Sequence, residues 1–230
     1  MSDRAFFGDP LLYEWLADVL LPYLARGKKA TGDPALRVWS AGCAGGEEPY
    51  GVAILVNELA ESENARFQTG IIATDAVEDS IRPALEGLYP GEKVSCVRYG
   101  LLKKYFALVN GAFRLVPAIR RAVSFSVYDL ADPATQAPPE SVFGGFDLIL
   151  CRENTVYAGD DRELILGKFF RSMSPGGFLI LGNDDEVTAA FRKKFRRVES
   201  FRAVFQKPGT GERFQSGNFS APAPRQARLV

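Results

Sequence analysis

Near the start of the chain, Leu12, Trp15, Leu16, Val19, Leu20 and Tyr23 recur at helical spacing. Asp9-Pro10 in front of them reads as an N-cap and a first helical residue. Pro22 is expected to kink or end this helix, and "GKKATGDP" to be a linker. The pattern then changes. "LRVWSA", "RFQTGIIATDA", "FDLILC" and "GFLILG" are short apolar runs, as strands buried on both faces require. Between them lie helical patterns: one starting at Pro49, "VEDSIRPALEGLY" with an awkward Pro83, and "DDRELILGKFFRSMSP", ended by Pro-Gly-Gly. "GAFRLV" is a strand entered through a turn at Asn110-Gly111, and "AVSFSVYDL" is another. "FRRVESFRAVFQK" reads as a terminal hairpin, with Phe191, Phe195, Phe201 and Phe205 as core residues, like Trp15 and Trp39. From Pro208 onward the chain is Gly/Pro/Ser-rich and predicts a disordered tail.

Strands alternating with helices predict an α/β fold with a mainly parallel sheet. Ligands in such sheets bind beyond the C-terminal strand ends. Those ends carry Ser40-Ala41-Gly42, Thr74-Asp75, Tyr128-Asp129-Leu130 and Cys151-Arg152-Glu153.

Composition narrows the chemistry. The 230 residues are 47% hydrophobic and carry equal numbers of acidic and basic groups, 28 each. That balance argues against a general nucleic-acid binder. Cys43, Cys96 and Cys151 have no zinc-site spacing and suit a reducing cytoplasm. The start lacks a signal-peptide core, and no apolar run approaches membrane-span length, so no membrane insertion is expected. The absence of histidine excludes mechanisms that need an imidazole base.

The turn after the first strand, "SAGCAGGEEPY", fits neither G-x-G-x-x-G nor a Walker A loop. Glu47 and Glu48 would repel a phosphate there. They suit a ligand that is cationic near this turn, such as S-adenosylmethionine, which carries an ammonium and a sulfonium. They also suit a helix N-terminus, where the dipole favours carboxylates. Asp75 can accept from ribose hydroxyls or cap the next helix.

The loop resembles that of the chemotaxis receptor methyltransferases, the CheR family, whose pattern is close to W-S-A-[GA]-x-[SA]-[TG]-G-E-E-P-Y-S. "ATDA", "ALEGLYP", "KKYF", "FRLVPAIRRAVSFSVYDL", "FDLILCRENTVY" and "SPGGFLILGNDDE" follow in the family's order, from about residue 6 to 207. The resemblance implies a class I S-adenosylmethionine-dependent methyltransferase, with a seven-stranded Rossmann-like sheet, its last strand antiparallel, and a small antiparallel β insertion at about 88–125. It divides the chain into an N-terminal helix and linker (1–32), a CheR-like methyltransferase domain (33–207) and the tail (208–230). It implies methyl transfer to glutamates of a chemoreceptor or related signalling protein, with S-adenosyl-L-homocysteine as product, no metal, and a cytoplasmic location. Carried over to this sequence, Ser40, Gly42, Glu47, Glu48, Asp75, Asp129, Leu130, Cys151 and Arg152 are the cofactor residues. Among them Glu48 meets the methionine part, Asp75 the ribose, and Asp129-Leu130 the adenine. Arg152 and Tyr157 are the expected catalytic residues.

Departures bear on activity rather than fold. The family's T-x-F-F-R is "RAFFGD", so Gly8 stands at its arginine and Arg4 at its threonine. Glu153 replaces the asparagine of C-R-N, Ala158 a phenylalanine, and Asn183-Asp184-Asp185 the family's H-S-E. Of the family's N-terminal part, the resemblance implies the linking helix alone and not the separate helical domain. The short "ALVNGAF" turn resembles members that do not bind a receptor tail peptide. Basic residues at 103–104, Arg114, Arg120-Arg121 and 192–197 read either as a face for an acidic receptor helix or as solvated charge. The alternative to an active enzyme is a cofactor-binding sensor or partner-binding module with lost or altered methyl transfer.

Overall fold

The computed structural model describes residues 5–33, 35–64, 68–141, 145–152, 161–182, 188–198 and 203–209. Residues 210–230, most of the expected tail, lie outside them, as do Arg4, Glu153, Tyr157, Ala158, Asn183, Asp184, Asp185 and Phe201.

The first helix starts as its sequence predicts. The Leu12 N–H donates to Asp9 Oδ1 at 3.2 Å, and Pro10 opens helix α1 (Pro10–Trp15). The helix then continues through Pro22 rather than ending there. A π-helical stretch, Leu16–Leu20, carries it into α2 (Leu21–Thr31), with the Leu21 N–H reaching back to Leu16 O. The wider turn makes room for the proline ring against the preceding carbonyls. Most of the expected linker is therefore the end of α2, held by the buried Leu20, Leu21, Leu24 and Ala25 and stopped at Gly32.

Next come β1 (Ala35–Ala41), α3 (Glu47–Ser62), β2 (Gln68–Asp75) and α4 (Glu78–Glu86). Helix α3 begins two residues before Pro49, because Gly46 in a left-handed conformation is its N-cap. Pro83 lies inside α4. The chain continues through β3 (Leu88–Tyr89), a 3-10 turn (Gly91–Val94), α5 (Tyr99–Tyr105), β4 (Phe106–Val109), β5 (Ala112–Leu115), α6 (Pro117–Arg120) and β6 (Val123–Val127). Then follow β7 (Phe146–Cys151), α7 (Arg162–Ser172), β8 (Met173–Leu181), α8 (Ala189–Arg192), β9 (Arg196–Arg197) and β10 (Val204–Gln206). Helix α7 stops before Pro-Gly-Gly, since Met173 already pairs with Phe146 and draws that segment into β8.

The main sheet runs β6-β2-β1-β7-β8-β10-β9. Its first five strands are parallel, and β10 pairs antiparallel with both β8 and β9. This is a doubly wound, Rossmann-like order in which the last strand of the chain, β10, lies antiparallel between β8 and β9. A second sheet, β3-β5-β4, is the expected antiparallel insertion, turning at Asn110 (φ 50°) and Gly111 (φ 80°). Neighbouring residues of the main sheet feed opposite cores. Val38, Leu148 and Ile180 join one, while Trp39, Ile149 and Leu179 join the other. Both faces are thus covered, and polar chemistry is left to the strand ends.

Candidate functional site

Strand β1 ends in a loop whose backbone is tied to the end of β2. The N–H groups of Gly42 and Cys43 both donate to Thr74 O, at 2.8 and 2.9 Å. The Gly46 N–H closes the loop onto Cys43 O at 2.9 Å. Gly46 has φ +86°, and a Cβ there would stand 2.6 Å from the Ala84 Cβ of α4, so the position excludes any side chain twice over. The Tyr89 hydroxyl donates to Gly45 O at 2.8 Å and ties the insertion to the same loop.

Asp75 braces this loop. Its Oδ2 accepts from the Ala44 N–H at 2.9 Å and its Oδ1 from the Val77 N–H at 3.0 Å. The N-cap position of α4 belongs to Val77. Each carboxylate oxygen has a second acceptor direction, so the brace leaves Asp75 able to take further donors.

The two adjacent glutamates part company. Glu47 is 5% exposed, and its carboxylate pairs with Lys93 of the insertion at 2.7 Å. Glu48 accepts from the Ser40 hydroxyl at 2.8 Å. Burial pushes the Glu48 carboxyl above the ordinary glutamate value, while Arg152 and the Ser40 hydrogen bond pull it back. Arg152, just beyond β7, donates through Nη2 to Asp9 Oδ2 at 3.1 Å. Asp9 therefore does two things: one oxygen caps α1 and the other holds the arginine.

The loop after β6 is laced to the loop after β2 by the Tyr128 N–H, which donates to Asp75 O at 2.9 Å. Asp129 is exposed and accepts from the Ala131 N–H at 2.8 Å; Leu130 is buried in the Trp39 core. Cys151 is fully buried at the end of β7, opposite Leu181. Burial, with Asp75 and Glu48 nearby, pushes the Cys43 thiol far up, so it is no thiolate nucleophile. Tyr157 lies outside the described residues.

Two residues were missed by the sequence reading. Lys168 of α7 is fully buried; its ammonium donates to Asp132 O at 2.5 Å and Thr135 Oγ1 at 3.3 Å, and stands 5.4 Å from the centre of the Tyr128 ring. Burial pulls its pKa down, and Asp132 and Asp129 hold it up. It clamps the segment that carries Asp129 and Leu130. The available signal was a lysine among the apolar Ile165, Leu166 and Phe169. Tyr13 is the other: it falls outside the apolar repeat of its helix, and its phenol lies in the field of Glu48, Arg152 and Asp9.

The site thus gathers the ends of β1, β2, β6 and β7. Glu48, Asp75 and Asp129 supply carboxyl groups and Arg152 a guanidinium, in a setting suited to a zwitterionic, phosphate-free ligand. No cluster of metal-ligating side chains occurs among the described residues. Residues 3–204 match the family model "CheR methyltransferase, SAM binding domain".

The chain belongs to the CheR family.

Its sheet is accordingly that of a class I S-adenosylmethionine-dependent methyltransferase, and S-adenosylmethionine is the family's cofactor. A CheR-family relative, "Chemotaxis protein methyltransferase 1" of Pseudomonas aeruginosa, is 31% identical over 194 residues, covering 81% of this chain and 66% of the relative. The "Chemotaxis protein methyltransferase" of Borreliella burgdorferi is 27% identical over 184 residues, covering 79% and 63%. The chain therefore spans slightly less than two thirds of the length of these two relatives. Among solved structures, the N-methyltransferase NodS of Bradyrhizobium japonicum is similar with a TM-score of 0.41 and 14% identity, covering 75% of this chain and 86% of that one. No helix among the described residues is long and apolar enough to cross a membrane.

Proposed function

We propose that this CheR-family chain transfers a methyl group from S-adenosylmethionine to glutamate side chains of a chemoreceptor-like protein. The observation that carries the reading is the Glu48–Arg152 arrangement, with Ser40 on one side and Asp9 on the other. A glutamate and an arginine held by separate elements match the ammonium and carboxylate of an amino acid. When bound, S-adenosylmethionine supplies an activated methyl on a positive sulfur. Glu48 then holds the ammonium, Arg152 the carboxylate, and Asp75 the ribose hydroxyls through its spare acceptor directions. Asp129 and Leu130 border the adenine, with Lys168 fixing their loop. Gly42, Cys151 and the Glu47–Lys93 pair hold the frame rather than the ligand. Tyr157 is assigned to the reacting groups by resemblance.

The acceptor glutamate is already ionised at neutral pH, so the transfer needs no general base. This suits a chain without histidine. What the protein must supply is alignment of oxygen, methyl and sulfur, together with exclusion of water.

Titration calorimetry with S-adenosylhomocysteine tests the cofactor site. Asp75→Ala is expected to weaken binding by roughly 1.5–3 kcal/mol, the range for hydrogen bonds to a charged group. No heat from the unaltered protein at saturating ligand would end the cofactor reading. Transfer of tritiated methyl to a panel of receptor cytoplasmic domains, scored as base-labile counts, tests the acceptor.

One observation favours a second reading, a cofactor-binding module with altered transfer. Gly8 presents no side chain beside Asp9, where the resembled family carries an arginine. Gly8→Arg is expected to raise glutamate methylation about tenfold, from one bidentate carboxylate pair. An unaltered protein that already turns over fast, with no gain from the arginine, would argue against this second reading.

A further inference from the structure

Tyr13 is buried to 5% exposure, and its hydroxyl has no hydrogen-bond partner among the described residues. Two helices fix where that hydroxyl lies. On α1, Tyr13 is four residues from the N-cap Asp9 and so shares its face; the Tyr13 N–H donates to Asp9 O at 3.1 Å. Asp9 in turn holds Arg152. On α3, Gly51 is three residues from Glu48 and shares that face. The Tyr13 ring rests on Gly51: a Cβ there would stand 3.1 Å from the ring Cε1 and 3.4 Å from the hydroxyl oxygen. The phenol is therefore enclosed between the helix face that holds Arg152 and the helix face that carries Glu48.

Its role follows from what is left over. Burial, and after it the charge of Glu48, keep the phenol protonated well beyond neutral pH, so it is a donor and not a base. Among the described residues no acceptor takes the phenol: Glu48 Oε1 accepts from the Ser40 hydroxyl, and the two Asp9 oxygens accept from the Leu12 N–H and from Arg152. A hydrogen bond to an ionised acceptor is about twice as strong as one between neutral groups. A carboxylate brought in by a ligand and seated at Arg152 would give the phenol such an acceptor. We propose that the Tyr13 hydroxyl donates a hydrogen bond to the amino-acid carboxylate of the bound S-adenosyl ligand, beside Arg152. This rests on the cofactor reading above. The competing assignment is the cavity of about 100 Å³ that Tyr13 also walls, with Phe7, Leu55 and the charged Glu14, Asp18 and Arg98, where the hydroxyl would serve solvent or those side chains.

Tyr13→Phe removes the oxygen and nothing else. Calorimetry would compare the full-length protein and this variant with two ligands, S-adenosylhomocysteine and 5′-methylthioadenosine, which lacks the amino-acid part. The expected result is about tenfold weaker binding of S-adenosylhomocysteine to the variant and unchanged binding of methylthioadenosine. The ligand-free unfolding temperature should not fall, because no partner is lost. Equal binding of S-adenosylhomocysteine by both proteins would overturn the Tyr13 assignment and leave the cofactor reading standing. So would equal weakening of both ligands with a lower unfolding temperature, which marks a packing role. An unaltered protein that binds neither ligand would overturn both.

Discussion

Glu47 and Glu48 are chemically identical neighbours, and their surroundings make them different groups. Successive residues on a helix point about 100° apart. Glu47 thereby meets Lys93 of the insertion, whereas Glu48 meets Ser40 and Arg152 across the strand ends. Burial raises the pKa of Glu48 above the ordinary 4.5. A carboxyl with a raised folded-state pKa favours its neutral form, so its contribution to stability is present at low pH and lost as pH rises through that pKa. Ligand binding runs the other way, because an ammonium needs the ionised form. S-adenosylhomocysteine affinity is therefore expected to fall on acidification, with a midpoint above 4.5. Glu48→Gln should bind weakly and lose that dependence. Calorimetry between pH 5 and 8 checks both; a flat profile in the unaltered protein would remove Glu48 from the ligand site.

Between elements, the insertion and the loop after β1 are joined by two polar links. Tyr89 of β3 reaches Gly45 O, and Lys93 of the 3-10 turn reaches Glu47 at the start of α3. The edge-on packing of Phe6 against Tyr89 and Phe106, at 4.8 and 5.2 Å, and the Phe6 N–H on Lys93 O bring in the segment before α1. Lys93→Met would leave the Glu47 carboxylate buried without its cation. The Lys93 side chain keeps 27% of its exposure and Glu47 only 7%. The loss should therefore fall between the surface and buried limits, at about 2 kcal/mol. Urea unfolding checks this, and the double variant Glu47→Gln, Lys93→Met should recover part of the loss.

For the whole molecule, these links connect the loop after β1 to a surface some distance along the chain. Ligand at the loop is expected to raise hydrogen-exchange protection in residues 88–115 as well as in residues 42–48. Protection confined to the loop would show that the two move independently.

The alternation of apolar runs with helical periods made the doubly wound sheet legible, because a strand buried on both faces must be apolar along most of its length, as β7 is apart from Asp147, which Lys28 neutralises. The polar residues at strand ends stood out for the same reason: they interrupt such runs. Local rules failed where tertiary packing outweighed them. Pro22 does not stop its helix because buried leucines on either side hold it, and Ser-Pro-Gly-Gly is strand because Met173 already pairs with Phe146. The split between Glu47 and Glu48, the Asp9–Arg152 pair, the Lys168 clamp and the enclosure of the Tyr13 phenol between α1 and α3 were decided by tertiary structure alone. In the sequence, Tyr13 and Lys168 are positions on helix faces, and Asp9 and Arg152 are 143 residues apart. A pattern of neighbours records which face of an element is buried; only the fold decides which distant charge that face will meet.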